Sequence, residues 1–125
     1  MLGVRWRHMG RSTDGVDCIG LVLHAAREAG FDLPDPAPYA REPAGTRLTD
    51  AALKHGLRVA RPEPGDVLVF RMGLYGGHVG IAALHPSWRV PSVIHAYAPH
   101  KQVVEQPMDG ELRAVLIGAY RLRRA

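Results

Sequence analysis

The sequence predicts one α+β domain, in which helices come first and pack on an antiparallel sheet of about five strands. Apolar residues recur with a helical period in the first half of the chain and with a strand-like pattern after Pro64. The chain has 125 residues, of which 46% are hydrophobic, which is enough for one core and too little for two. Residues 1–125 are therefore interpreted as a single domain.

The first predicted element is a helix from Cys18 to about Ala29. Asp17 is a plausible N-cap for this helix, and Gly30 is placed to end it. Its apolar residues follow the spacing i, i+3, i+4, i+7: Ile19, Val22, Leu23 and Ala26. This pattern puts Cys18 in the first helical turn.

The remaining elements follow from prolines and from apolar runs. Five prolines and glycines interrupt Phe31–Arg47 and predict an irregular segment, and a shorter helix is expected over Thr49–His55. Strands are expected over Asp66–Met72, Val79–His85, Ser92–Tyr97, Lys101–Gln106 and Ala114–Leu122. Because the connections between these strands are short, they predict an antiparallel meander.

Composition excludes several classes of protein. The net charge is only +4, and the arginines are scattered without interleaved aromatic residues, so direct nucleic-acid binding is not expected. A single cysteine excludes an internal disulfide and a cysteine-based zinc finger. The N-terminus has arginines where a signal peptide needs an apolar core, and no apolar run is long enough to span a membrane. We therefore expect no membrane insertion and synthesis in the cytoplasm without a secretion signal.

Cys18 is a candidate nucleophile because of its position. Backbone N–H groups and the dipole at a helix N-terminus stabilise a thiolate, so the pattern predicts a pKa for Cys18 below that of a free thiol. The alternative is that Cys18 fills the core, since free cysteines are among the most buried residues.

His78 and His95 are the histidines best placed to join Cys18. His78 follows two glycines and opens an apolar strand, and His95 lies on the next strand. The midpoint between them falls in the turn-forming segment Pro86-Ser87, so a hairpin there brings the two rings into cross-strand contact. A thiol, an imidazole base and a group that orients the base are the parts of a nucleophilic acyl-transfer site. A zinc site built from the same residues is the rival hypothesis, although the sequence has no familiar metal-ligand spacing.

Four segments of the chain, in order, resemble motifs of the NlpC/P60 cysteine peptidases. They are Trp6-Arg7-His8-Met9-Gly10-Arg11-Ser12 with Gly15-Val16-Asp17-Cys18-Ile19-Gly20, Pro64-Gly65-Asp66-Val67, Gly77-His78-Val79-Gly80-Ile81, and Val93-Ile94-His95-Ala96. The resemblance implies a papain-like fold, with the helix of the nucleophile packed on an antiparallel sheet. It also implies that Cys18 is the nucleophile, His78 the base and His95 the residue that orients His78, without a metal or cofactor.

The resemblance further implies a cysteine endopeptidase that cuts amide bonds in the peptide stems of bacterial peptidoglycan. Trp6 stands where many members carry a tyrosine, and it is a candidate substrate-binding residue. Asp17 is a second candidate, for a free amine of the stem peptide, and its alternative role is that of a helix cap.

An apolar residue after the cysteine, here Ile19, is more similar to the phage and prophage branch of the family. This branch implies a virion or gene-transfer-agent tail as the carrier, tail-hub or baseplate proteins as partners, and action in the periplasm of the target cell. Two alternatives stay open: an inactive structural subunit of the tail hub, and a Cys/His amidase that cuts the sugar–peptide link.

Overall fold

The computed structural model describes residues 1–36, 51–72 and 76–123 of the chain. The N-terminal segment forms a small hairpin of β1 (Arg11–Ser12) and β2 (Gly15–Val16). The hairpin leads directly into α1 (Cys18–Glu28), which confirms the first predicted helix. Residues 31–36 have no regular structure.

The second predicted helix is present over residues 51–55, which we call α2. Thr49, its expected first residue, lies outside the described residues, as do residues 37–47 of the predicted irregular segment. A short strand, β3 (Gly56–Val59), follows α2 directly, and the sequence analysis did not predict it.

The main sheet contains six antiparallel strands in the order β3-β8-β4-β5-β6-β7, one more strand than predicted. Its other members are β4 (Val67–Met72), β5 (Gly76–Leu84), β6 (Pro91–Tyr97), β7 (Gln102–Pro107) and β8 (Leu116–Leu122). Strands β4 to β7 form the predicted meander. The α+β class is therefore confirmed, with a larger sheet.

The end of the chain departs from the predicted meander. Residues predicted as the start of the last strand instead belong to α3 (Gly110–Val115), capped by the Asp109 carboxylate, which accepts from the N–H of Leu112. Strand β8 then pairs with β3 and β4, rather than with β7. Apolar residues in this region fit a helix and a strand equally well, so the pattern alone did not separate α3 from β8.

Helices cover both faces of the sheet, which explains why its strands are apolar at nearly every position. On one face Val67 and Val69 of β4 pack with α1 and α2, and on the other Leu68 and Phe70 pack with Leu112 of α3. Cys18 is a buried member of the core cluster on the first face.

The Pro64-Gly65-Asp66 segment lies in the turn between β3 and β4 and is bonded to β8. Gly65 has a φ of 97°, a conformation that favours glycine. The buried Asp66 carboxylate accepts from the N–H of Glu63 at 2.7 Å and from two nitrogens of Arg121 at 3.0 Å each. These bonds tie the turn before β4 to the neighbouring strand.

Candidate active site

The N-terminal segment fixes where Cys18 lies. Trp6 forms a parallel bridge with Val16, and the N–H of Val16 donates to the carbonyl of Arg5. Gly10 and Gly20 meet so closely that a Cβ on Gly20 would overlap the carbonyl oxygen of Gly10. The start of α1 is thus pressed against the segment that precedes it.

Asp17 is the N-cap of α1, as one of its two predicted roles requires. Its Oδ1 accepts from the N–H of Gly20 at 2.8 Å and from Arg11 at 3.1 Å, and its Oδ2 accepts from the N–H of Met9 at 2.9 Å. The residue is only 4% exposed. The carboxylate therefore holds the helix start to the N-terminal segment, while its contact with substrate stays a prediction.

The thiol of Cys18 is buried, and the predicted lowering of its pKa is wrong. Burial raises the pKa of Cys18 to about 11, because a thiolate loses its hydration there. The N–H of Val79 lowers the pKa, and the Asp17 carboxylate raises it. The N–H groups of Ile19 and Cys18 also lower it. The helix N-terminus acts in the predicted direction, but desolvation is the larger effect.

The predicted contact between His78 and His95 is confirmed. Nε2 of His78 and Nδ1 of His95 lie 2.8 Å apart in a buried hydrogen bond. Strands β5 and β6 pair from Ile81↔Ile94 to Leu84↔Pro91, two residues from direct pairing of the histidines, so the two rings meet on a diagonal. A Cβ on Gly80 would lie 3.1 Å from Cβ of His95, so this glycine lets the two strands approach.

Cys18 contacts the start of β5 through the backbone of Val79, the residue after His78. The residue after His78, Val79, directs its backbone N–H toward the thiol. The contacts described for these side chains do not include a direct hydrogen bond between the thiol and the His78 ring. Because His95 occupies Nε2 of His78, Nδ1 is the ring nitrogen of His78 that this hydrogen bond leaves open.

Two further side chains belong to this cluster, and the sequence analysis did not identify them. Oε1 of Gln106, on β7, lies 2.6 Å from Nε2 of His95. The ring of Tyr97 stacks on His95 at 4.9 Å with an angle of 11° between the planes. The strand pairing carries the signal that was missed: His95 pairs with Val104, and Gln106 lies two residues further on the same face of β7.

Both histidines favour their neutral forms. Burial, with a smaller effect of His95, lowers the pKa of His78 to about 3. Burial also lowers the pKa of His95, and the hydrogen bond that His95 makes to Oε1 of Gln106 opposes this shift. Since the Cys18 pKa is raised, the resting site contains a neutral thiol and neutral imidazoles near pH 7.

We expect the buried histidine pair to make the fold sensitive to acid. His78 titrates near 3 when folded and near its ordinary 6.5 when unfolded, so the unfolded chain takes up the proton first as the pH falls. Its stabilising contribution is present above pH 6.5 and is lost as the pH falls toward 3. Urea unfolding should show a slope of about 1.4 kcal/mol per pH unit from this group, absent in His78→Gln. Equal slopes in the two proteins would contradict the assignment.

The half-buried side chain of Trp6 packs against the core cluster of Val16, Leu21, Ala96 and Val103. Within residues 1–36, 51–72 and 76–123, no group of three or more histidine, cysteine or acidic side chains is arranged to hold a metal ion. In the same described ranges, no helix has the length and apolar character needed to cross a membrane.

An α+β domain with a cysteine at the start of a helix packed on an antiparallel sheet, and with a buried histidine pair on that sheet, has the arrangement of a papain-like fold. The sequence model of the NlpC/P60 family matches residues 3–115 of this chain. The chain belongs to the NlpC/P60 family.

Its similar relatives include proteins named murein DD-endopeptidase MepS/murein LD-carboxypeptidase, from Escherichia coli strain K12 and from an O157:H7 strain. Each is 35% identical to this chain over 80 residues, which is 63% of this chain. The matched region spans 37% of the length of each relative.

Proposed function

We propose that this chain is a cysteine peptidase that hydrolyses amide bonds in the stem peptides of peptidoglycan. The observation that carries the proposal is the buried His78–His95 hydrogen bond, which starts on the strand whose Val79 N–H contacts the Cys18 thiol, in a chain of the NlpC/P60 family. The relatives named for cleaving murein support the substrate class. No metal or cofactor is needed for this chemistry.

In the proposed reaction, Sγ of Cys18 attacks the carbonyl carbon of the scissile amide. The thiol proton passes to Nδ1 of His78 as the S–C bond forms, so a buried thiolate does not have to exist before attack. His95 holds the ring of His78 through the 2.8 Å bond. The same proton then passes to the leaving amine, and water hydrolyses the resulting thioester to regenerate the thiol.

The helix start supplies donors for the oxyanion of the tetrahedral intermediate. In the first turn, the N–H groups of Gly20 and Leu21 donate to Asp17. Those of Cys18 and Ile19 act on the thiol, since both lower its pKa. We assign these two N–H groups to the oxyanion, because fixed backbone donors stabilise developing negative charge without rearrangement.

Trp6 and Asp17 are the proposed substrate-binding residues. Trp6 is half-buried and forms a bridge with Val16. Because Val16 is two residues before Cys18, Trp6 lies near the start of α1. An indole N–H donates a hydrogen bond and accepts none, which favours a carbonyl or carboxylate of the stem peptide as its partner. Asp17 is almost fully buried, so a substrate amine would have to contact the 4% of this residue that is exposed.

Digestion of purified peptidoglycan tests the proposed function. We expect the wild-type chain to release fragments with new amino and carboxyl ends within the stem peptide, identified by mass spectrometry. Cys18→Ala should release none of them, because no other thiol is present in the sequence. A fragment that retains the sugar with its peptide removed would instead indicate the amidase reaction.

An inactive structural subunit with a peptidase fold is the second candidate function. The observation that favours it is the burial of Cys18, which raises the thiol pKa to about 11. Under this alternative, digests by the wild-type chain and by Cys18→Ala would be identical. The same assay therefore separates the two functions.

We further propose that a phage-like tail carries the chain to the cell wall of its target, where tail-hub or baseplate proteins hold it. The support is Ile19 after the cysteine, in the pattern typical of the phage and prophage branch. Mass spectrometry of purified particles tests this carrier, and absence of the chain from them would exclude it.

A further inference from the structure

Three side chains form a continuous line of hydrogen bonds from the candidate base to the sheet edge. Nε2 of His78 lies 2.8 Å from Nδ1 of His95, and Nε2 of His95 lies 2.6 Å from Oε1 of Gln106. His95 is fully buried, so both of its ring nitrogens are satisfied by protein groups only. A substitution at Gln106 must therefore change the hydrogen bonding of His78 through His95.

The direction of these bonds follows from the last acceptor. Oε1 of Gln106 has no proton, so Nε2 of His95 carries one and donates it. A neutral imidazole has one N–H, which makes Nδ1 of His95 an acceptor and Nε2 of His78 the donor to it. The remaining nitrogen of His78, Nδ1, then has a free lone pair. This is the form of His78 that accepts a proton from a thiol.

The sheet positions Gln106 for this role. Neighbouring residues alternate between faces along β7, so Glu105 accepts from Ser92 at 2.6 Å while Gln106 meets His95. Tyr97 stacks on the His95 ring and holds its plane. The group that meets His95 is an amide, whose carbonyl oxygen fixes the orientation of the ring by accepting from it.

We propose that Gln106 is a positioning residue that, through His95, keeps His78 in the tautomer whose Nδ1 accepts the Cys18 proton. The catalytic consequence rests on the peptidase function proposed above. When Cys18 attacks, its proton moves from Sγ to Nδ1 of His78, and the imidazolium keeps donating from Nε2 to His95. Return of that proton to the leaving amine restores the same tautomer.

The tautomers are measured directly by long-range ¹H–¹⁵N NMR on protein labelled at its histidine nitrogens. Near neutral pH, we expect Nε2 to carry the proton in both His78 and His95 of the wild-type chain. Gln106→Met removes the acceptor at similar size, so a substantial share of both rings should shift to the Nδ1–H form. Gln106→Glu keeps an acceptor and should retain the wild-type pattern, while Gln102→Met is the matched control at an exposed site on the same strand.

Kinetics on a stem peptide supply the second measurement. Gln106→Met should lower kcat by about 10- to 100-fold with little change in KM, and Gln106→Glu should recover most of the loss. A proton on Nδ1 of wild-type His95, or unchanged tautomers in Gln106→Met, would overturn the proposal. If the tautomers respond as expected but the wild-type chain cleaves nothing, the peptidase function fails and the control of the tautomer by Gln106 stands.

Discussion

Replacing His78 with Gln is expected to lower kcat on a stem peptide by about 10³- to 10⁴-fold. Glutamine fills most of the space of the ring and can still bond to His95, but it does not accept a proton at neutral pH. The thiol has its pKa raised to about 11 by burial, so it depends on a base for deprotonation. The loss should therefore appear in kcat, and KM should change little.

His85→Gln is the matched control for this variant. His85 lies in the turn after β5, at the opposite end of the strand from His78, where it stacks on Trp88. It should keep wild-type kcat. Near-wild-type turnover in His78→Gln, with Cys18→Ala inactive, would show that the thiol is deprotonated by another group.

Gly20→Ala is expected to destabilise the fold by about 2 kcal/mol or more, although alanine favours a helix over glycine. The new Cβ would overlap the carbonyl oxygen of Gly10 and crowd Nη1 of Arg11. The overlapped atom belongs to the backbone, so a rotamer change cannot relieve the clash. Equilibrium urea unfolding measures the loss, and turnover should fall as well because Cys18 lies two residues away.

Gly110→Ala provides the comparison for Gly20→Ala. Gly110 begins α3, and a Cβ built there meets no atom within 4 Å. The same substitution should therefore leave stability unchanged or raise it by less than about 1 kcal/mol. Similar effects of the two substitutions would show that the Gly10–Gly20 contact is not tight in solution.

Local patterns predicted the parts of the fold whose signals lie close together in the chain. The capping residue Asp17 and the spacing of apolar residues predicted α1 almost to its last residue. The turn between β5 and β6 predicted the contact between His78 and His95, because residues at equal distances from a hairpin turn lie opposite each other on the two strands. The observed register is shifted by two residues from direct pairing of the two histidines, and their side chains meet on the diagonal.

Other features depend on three-dimensional context that local patterns do not contain. Strand β8 pairs with β3 and β4, and no local property of Leu116–Leu122 selects those partners over β7. The pKa of Cys18 depends on how much of the thiol is buried, which a residue at a helix start does not reveal. Gln106 could have been predicted from the sequence, because the argument that places His78 across a hairpin from His95 also applies to the turn between β6 and β7.

The place of β8 in the sheet affects the order in which the molecule is assembled. Strand β8, the last strand of the described residues in chain order, occupies an interior position between β3 and β4 and brings Tyr120 into the core cluster that includes Cys18. A nascent chain that ends before Leu116 lacks both of these pairings, so the sheet is split and one side of the core is open. The main sheet can therefore be completed only after residues 116–122 have left the ribosome, and the core cluster around the thiol gains Tyr120 only then.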